Sequence, residues 1–287
     1  MFLVPRCLSC NAASHLTGTL AFGRLCQPAN WLAQTFTDDG WNLKSLFKLV
    51  VTSGTYRQTS IASPELVAKD PDNLLLARGP KHRLEAEEIR DNALAVSGLL
   101  SHRIGGHSVK PYQPAELWEA SGTGKHYDQD QGEKLYRRSL YTFWKRTLPP
   151  PNMLTFDATT REVCTARRET TSTPLQALVL LDDTQFVEAA RVLAEHLVRD
   201  SAQHIVPRIT EGFRLATGRK PAPRELEILR QLYQEQLALF QKEPAKVDEY
   251  LKIGEHPRDP SLPADQVAAT TILASALMNL DEFVNER

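Results

Sequence analysis

The sequence predicts a mainly α-helical fold: a multi-helix globular domain with a long irregular Arg-rich central region and room for one small β-hairpin. Three observations lead there. Apolar residues recur at steps of three and four along most of the chain, the period of a single helix face. Prolines and glycines sit at the ends of these runs, where helices start and stop. Strand-like alternation is confined to residues 139–145. With 41% hydrophobic and 24% charged residues, the chain can build a core and is not disordered by composition.

Taken in order, residues 29–37 carry Trp31, Leu32 and Phe36 on one face, with Pro28 as the start and Gly40 as the stop. Asn42 caps a second helix whose apolar positions Leu43, Leu46, Phe47 and Val50 fall on one side; Gly54 ends it. Residues 84–100 predict a helix with Ile89, Ala93, Val96 and Leu100 as the buried stripe. Glu85, Glu87, Glu88, Arg90 and Asp91 are expected largely outside, with buried partners as the alternative for Arg83 and Arg90. Glycines and prolines break residues 101–135 into loops, with a short helix from Pro114 carrying Leu117 and Trp118. Residues 139–145 suit a strand or a buried helical turn, and helix is preferred because no partner strand is evident. Pro149, Pro150 and Pro151 stop that run.

The C-terminal third reads as successive helices. Thr173 and Pro174 form an N-cap with proline at the first helical position, opening residues 175–181. Phe186, Ala189, Ala190, Leu193 and Leu197 mark the next helix. Residues 204–216 form another, ended by Gly218. Residues 223–241, 243–253 and 263–279 complete the set.

The net charge is −1, which argues against a dedicated nucleic-acid binder. No apolar run approaches the ~18 residues of a membrane span. At roughly 100–200 residues per domain, 287 residues hold one large domain or two small ones. Residues 1–27 stand apart as an atypical leader, expected to be disordered, with three of the four cysteines (Cys7, Cys10 and Cys26). Arg6 interrupts the apolar start, so the leader does not read as a signal peptide. Cys7 and Cys10 have metal or redox spacing, but Asn11 stands where covalent haem attachment needs histidine. His15 and Cys26 make an irregular zinc set, and the pair is expected to be incidental.

A set of short motifs joins these elements: WLA at 31–33, DGWNLK at 39–44, VTSGTYRQ at 51–58, DPDNLL at 70–75 and RGP at 78–80. RLEAEEIRD at 83–91, VKP at 109–111, YRRSLYTFWKR at 136–146 and FDA at 156–158 follow. REVC at 161–164, TPLQAL at 173–178 and NLDEF at 279–283 complete them. Together they resemble the planctomycete-type domain-of-unknown-function family 1553, also called the PSD family, over about residues 28–287. Within it, 28–133 is an N-terminal helical part, 134–173 an Arg-rich central segment and 174–287 a C-terminal helical part. The resemblance implies an exported envelope protein, with companion domains or subunits of the same complex as partners. It also implies c-type haem in a companion domain, so a c-type cytochrome is an expected partner, with no cofactor in this chain. Residues 1–27 do not resemble the family's upstream part, and the expectation is a truncated or misplaced start. If the start is genuine, the chain is expected to be cytoplasmic.

The central segment concentrates the chemistry. Residues 134–168 carry eight bases against two acids, a charge of +6. Arg137, Arg138, Arg161, Arg167 and Arg168 suit bidentate recognition of carboxylate, sulfate or phosphate, and Trp144 suits sugar stacking or cation–π contact. An anionic, sulfated or uronic polysaccharide is therefore one candidate ligand. The competing expectation is that these arginines tie loops to backbone carbonyls. Asp157 and Glu162 are candidate acid–base carboxylates, and Cys164 a candidate nucleophile. Cys164 has no histidine nearby in sequence, and a small buried hydrophobe is its alternative role. His102, His107, His126, Asp128 and Asp130 contain metal-ligand types without helix-face spacing, and no metal is expected. The leading functional reading is a helical scaffold or partner-docking module; the alternative is the polysaccharide-binding or processing domain.

Overall fold

The computed structural model describes residues 19–79, 81–120, 126–201 and 204–286, with side chains from residue 29 onward. The Cys7–Cys10 pair, His15 and most of the expected disordered leader lie outside the described residues. Two compact units divide the chain, one within Met1–Lys81 and the other His82–Glu286.

The first unit contains α1 (Thr19–Asp38), α2 (Leu43–Thr52) and α3 (Pro64–Lys69). Helix α1 starts before Pro28, which therefore does not mark its first turn. Proline lacks the N–H of a helix interior, but its φ is helical and the flanking turns can carry the helix through. Gly40 and Trp41, both at positive φ, turn the chain after α1, and Phe36 packs edge-on against Trp41 at 5.2 Å. Asn42 caps α2 by accepting from the Ser45 amide at 3.2 Å, as its residue type predicts. Helix α3 is too short for periodicity to reveal, though Ser63 caps it and Pro64 opens it.

The DPDNLL and RG motifs fold onto each other. Asp70 is buried and accepts from the Leu74 and Leu75 amides at 2.8 and 2.9 Å. Arg78 donates to the carbonyls of Asp70 and Pro71 at 2.8 and 2.6 Å. By contrast, α2 has no buried residue: Leu43, Phe47 and Val50 are all exposed.

The second unit is built around α8 (Thr184–Asp200), which packs against α12 (Ala264–Met278), α4 (Ala86–Ser97), α7 (Pro174–Asp182) and α9 (Ile205–Thr217). Phe186, Leu193 and Leu197 of α8 share a core with Ile89 and Leu94, Ile209 and Phe213, and Leu273 and Leu277. A second core cluster joins Val198 and Val267 to Tyr233 and Phe240 of α10 (Pro223–Lys242) and Val247 of α11 (Pro244–Tyr250). At Gly212 an added Cβ would lie 2.9 Å from Leu197 Cδ1, so a larger residue there would force the Leu197 side chain to shift.

Helix ends follow the sequence signals. Glu85 and Glu88 form a capping box for α4, and Gly98 ends it in the left-handed region. Thr173 and Gln176 form another around Pro174. The helical part of the 84–100 run is shorter than the periodicity predicts, and its polar face holds a correction. Arg90, expected largely outside with buried partners as the alternative, takes the alternative: it is 2% exposed, because four acceptors converge on it inside the unit.

Two further expectations change. In residues 139–145 only Ser139–Tyr141 is helical, as a 3₁₀ turn. The chain then extends, and Val109 exchanges backbone hydrogen bonds with Tyr141 and Phe143 at 2.8 and 2.7 Å. The three prolines do not simply stop the chain: Pro151 opens α6 (Pro151–Thr155). The short helix near Pro114 is α5 (Leu117–Ala120). The small antiparallel sheet pairs β1 (His82–Arg83) with β2 (Asn285–Glu286), just after α13 (Asp281–Val284). It joins the two ends of this unit, and the Leu84 amide extends it to the Val284 carbonyl at 3.0 Å.

Candidate functional site

A cleft of about 650 Å³ opens in the second unit beside β1. Its first wall is β1 and the start of α4: His82, Arg83 and Leu84, then Glu85 and Glu88. Pairing with β2 in the register Arg83 opposite Asn285 sets Arg83 at this edge. The second wall is the irregular loop after α6, which brings Asp157, Thr159, Thr165, Arg167, Arg168 and Glu169.

Local chemistry shapes that loop. Phe156 is buried, edge-on to Phe186 at 6.2 Å, and anchors its start. Asp157 follows at φ +62°, a left-handed conformation that aspartate tolerates better than most residues. Its carboxylate accepts from the Thr171 amide at 2.7 Å and the Thr171 hydroxyl at 2.9 Å, closing the loop at its base. Along the loop, Arg161 stacks over Trp144 at 4.4 Å, while Trp144 Nε1 donates to the Thr160 carbonyl at 3.1 Å. Farther on, Arg168 forms a bidentate pair with Glu87, at 2.6 and 3.1 Å, and reaches Glu85 at 3.2 Å. Burial pushes the Glu87 carboxyl up, but the Arg168 hydrogen bonds, its own backbone amide and the charges of Arg168 and Arg161 together outweigh it, and the net shift is downward. The hydrogen bonds to Glu87 raise the Arg168 guanidinium.

Not all cleft groups are matched. The Glu88 carboxylate accepts from the Glu85 amide at 2.8 Å as part of the helix cap. Arg83 lies half-buried with its Cζ 6.0 Å from the Phe156 ring centroid, and its buried Nε has no partner. Burial lowers its pKa, with Asp157 and Asp281 opposing the shift. Arg167 is exposed and has no hydrogen-bond or ion-pair partner among the described residues.

The structure brings Asp157, Arg167 and Arg168 to the cleft. Arg161 and Trp144 pair with each other outside its lining, and Glu162 and Cys164 are exposed and also outside it. Cys164 is thus not the small buried hydrophobe offered as its alternative; the loop carries it on its surface. Arg138 is exposed. Arg137 is buried elsewhere, stacked on Tyr141 at 3.8 Å and donating to the carbonyls of Gly105 and His107 at 2.5 and 3.0 Å. Arg90 holds the next layer: it donates to the carbonyls of Leu135 and Arg137, both at 2.8 Å, and to Gln185 Oε1 at 2.6 Å.

This shared pattern of motifs has a counterpart among known sequences. A family model described as PSD1, protein of unknown function (DUF1553), matches residues 29–233, well over half the chain. The chain belongs to the PSD1 family. No curated protein and no solved structure matches it. The matched residues include both walls of the cleft and the Arg90–Arg137 network.

Sequence reasoning missed a second polar assembly inside the PSD1 domain. On α8, Gln185, Glu188, Arg191 and Glu195 are all buried. Glu188 accepts from the Tyr136 hydroxyl at 3.0 Å and the His256 amide at 2.7 Å, and Arg191 bonds Glu195 and the His256 carbonyl, both at 2.6 Å. The only signal was a polar stripe at helical spacing, which reads the same as a solvent face. Elsewhere His102 and His107 are exposed and His126 bonds Glu119. Among the described residues no cluster of His, Cys, Asp and Glu is placed to hold a metal ion. No helix of the described residues is long and apolar enough to cross a membrane.

Proposed function

We propose that the chain is a helical docking module of a larger envelope protein, in which the Arg-rich segment builds the fold rather than a reaction centre. The observation that supports this reading is the use of the arginines. Arg137 binds loop carbonyls, Arg168 binds Glu87 and Arg161 covers Trp144. The candidate reactive groups are not assembled. Asp157 is occupied by Thr171, Glu162 lies outside the cleft lining, and no described histidine hydrogen-bonds Cys164.

The docking surface on this reading is the exposed apolar face of α2, with Leu43, Phe47 and Val50. Its proposed partner is a companion domain of the same envelope complex, one that carries c-type haem. The test is gel filtration of the full chain mixed with the purified c-type cytochrome domain of that complex, followed by haem absorbance. Co-elution that is lost when Phe47 and Val50 are both replaced by serine supports docking. Separate elution of the two unmodified proteins overturns it.

A further inference from the structure

We propose that the cleft binds a hydroxy-carboxylate of the sugar-acid class, with Arg83 as the anchor for its carboxylate. The inference stands apart from the docking reading and does not depend on it.

Arg83 is the starting point. Its Nε is buried without a partner, and the guanidinium has no hydrogen bond among the described residues. Arg137, Arg191, Arg208 and Arg258 also leave Nε unpaired, but Arg83 alone of these lines the cleft. The terminal nitrogens of Arg83, which unlike Nε are not enclosed, are the donors left to meet an acceptor oxygen entering the cleft. Arg167, on the opposite wall, is exposed and has no hydrogen-bond or ion-pair partner among the described residues. Guanidinium groups match the planar geometry of a carboxylate and bind it bidentately.

The rest of the lining selects among anions. Glu85, Glu88, Asp157 and Glu169 set four carboxylates against Arg83, Arg167 and Arg168. A densely sulfated chain meets repulsion there. A ligand with one carboxylate and several hydroxyls fits instead. Its hydroxyls can donate to Glu169 and exchange hydrogen bonds with Thr159, Thr165 and Thr170, whose hydroxyls are unpaired among the described residues. The volume, about 650 Å³, lies within the ~300–1,000 Å³ of small-molecule sites.

Calorimetry of the full chain with glucuronate, glucose and inorganic sulfate tests this. Saturable binding of glucuronate is expected, with glucose weaker by about tenfold or more because it lacks the charged acceptor. Arg83→Gln is expected to weaken glucuronate by at least about tenfold, and Arg167→Ala by several-fold. Arg167 is exposed, so that variant stays informative even if Arg83→Gln fails to fold. Three results overturn the proposal: no saturable heat with glucuronate, glucose binding as tightly as glucuronate, or glucuronate binding unchanged in Arg167→Ala. Displacement of glucuronate by equimolar sulfate also overturns it, because the cleft then reads charge alone.

Discussion

Arg78 in the first unit and Arg90 in the second have the same kind of task, holding backbone carbonyls with a guanidinium, and they perform it at different ranges. Arg78 reaches carbonyls eight and seven positions away, Asp70 and Pro71, and is only half-buried. Arg90 reaches Leu135, Arg137, Ser139 and Gln185, from 45 to 95 positions away, and is almost completely enclosed. Burial pulls its pKa down to about 10, with Asp91 and Asp183 opposing. The contrast extends to the apolar residues. Leu43, Phe47 and Val50 line up on α2 yet stay exposed, whereas Ile89, Leu193 and Leu273 disappear into one core. Local closure needs little chain entropy and forms without a core. Long-range closure has to overcome more, and burial supplies the difference.

Three substitutions probe this contrast. Arg90→Met strands the Leu135 and Arg137 carbonyls inside the fold, and is expected to cost about 3–5 kcal/mol in urea unfolding. A loss below about 1 kcal/mol would mean that the buried network is not what ties α4 to the central segment. Arg78→Met is expected to cost about 1 kcal/mol at most, with faster amide exchange confined to residues 70–79. Spread of that effect into the second unit would erase the distinction between local and long-range closure. Phe47→Ser is expected to stay within about 0.5 kcal/mol, because the side chain is already in water. A cost of about 2 kcal/mol or more would show that this face is covered in the folded chain.

Legibility in the sequence follows the same division. Asn42, Ser63 and Thr173 cap helices through bonds to residues three positions on, and for Asn42 and Thr173 the residue type with the apolar run that follows suffices to place the cap. Ser63 gives no such placement, because a helix as short as Pro64–Lys69 has no apolar period to support its cap. Of the cleft, Asp157, Arg167 and Arg168 stood out in the sequence because they cluster in one basic loop. For Arg83 the sequence offers only a buried partner as an alternative, since nothing in its neighbourhood says which loop will face it. Glu162 and Cys164, close to these arginines in sequence, turned out to lie away from the cleft lining, because spacing along an irregular loop does not set distances in space.

Helix content, most caps, the family and the basic central segment are written in residue types and short-range periodicity, which act over a turn or two of chain. The tertiary structure alone assigned the two sides of α8, where Glu188 and Arg191 look like solvent residues and are buried. It alone divided the arginines, sending Arg137 and Arg90 to interior carbonyls and leaving Arg83 and Arg167 facing an open cleft. A guanidinium has the same pattern of donors wherever it sits. Its role is decided by which acceptors, brought from distant parts of the chain, come within reach and whether water is excluded around them.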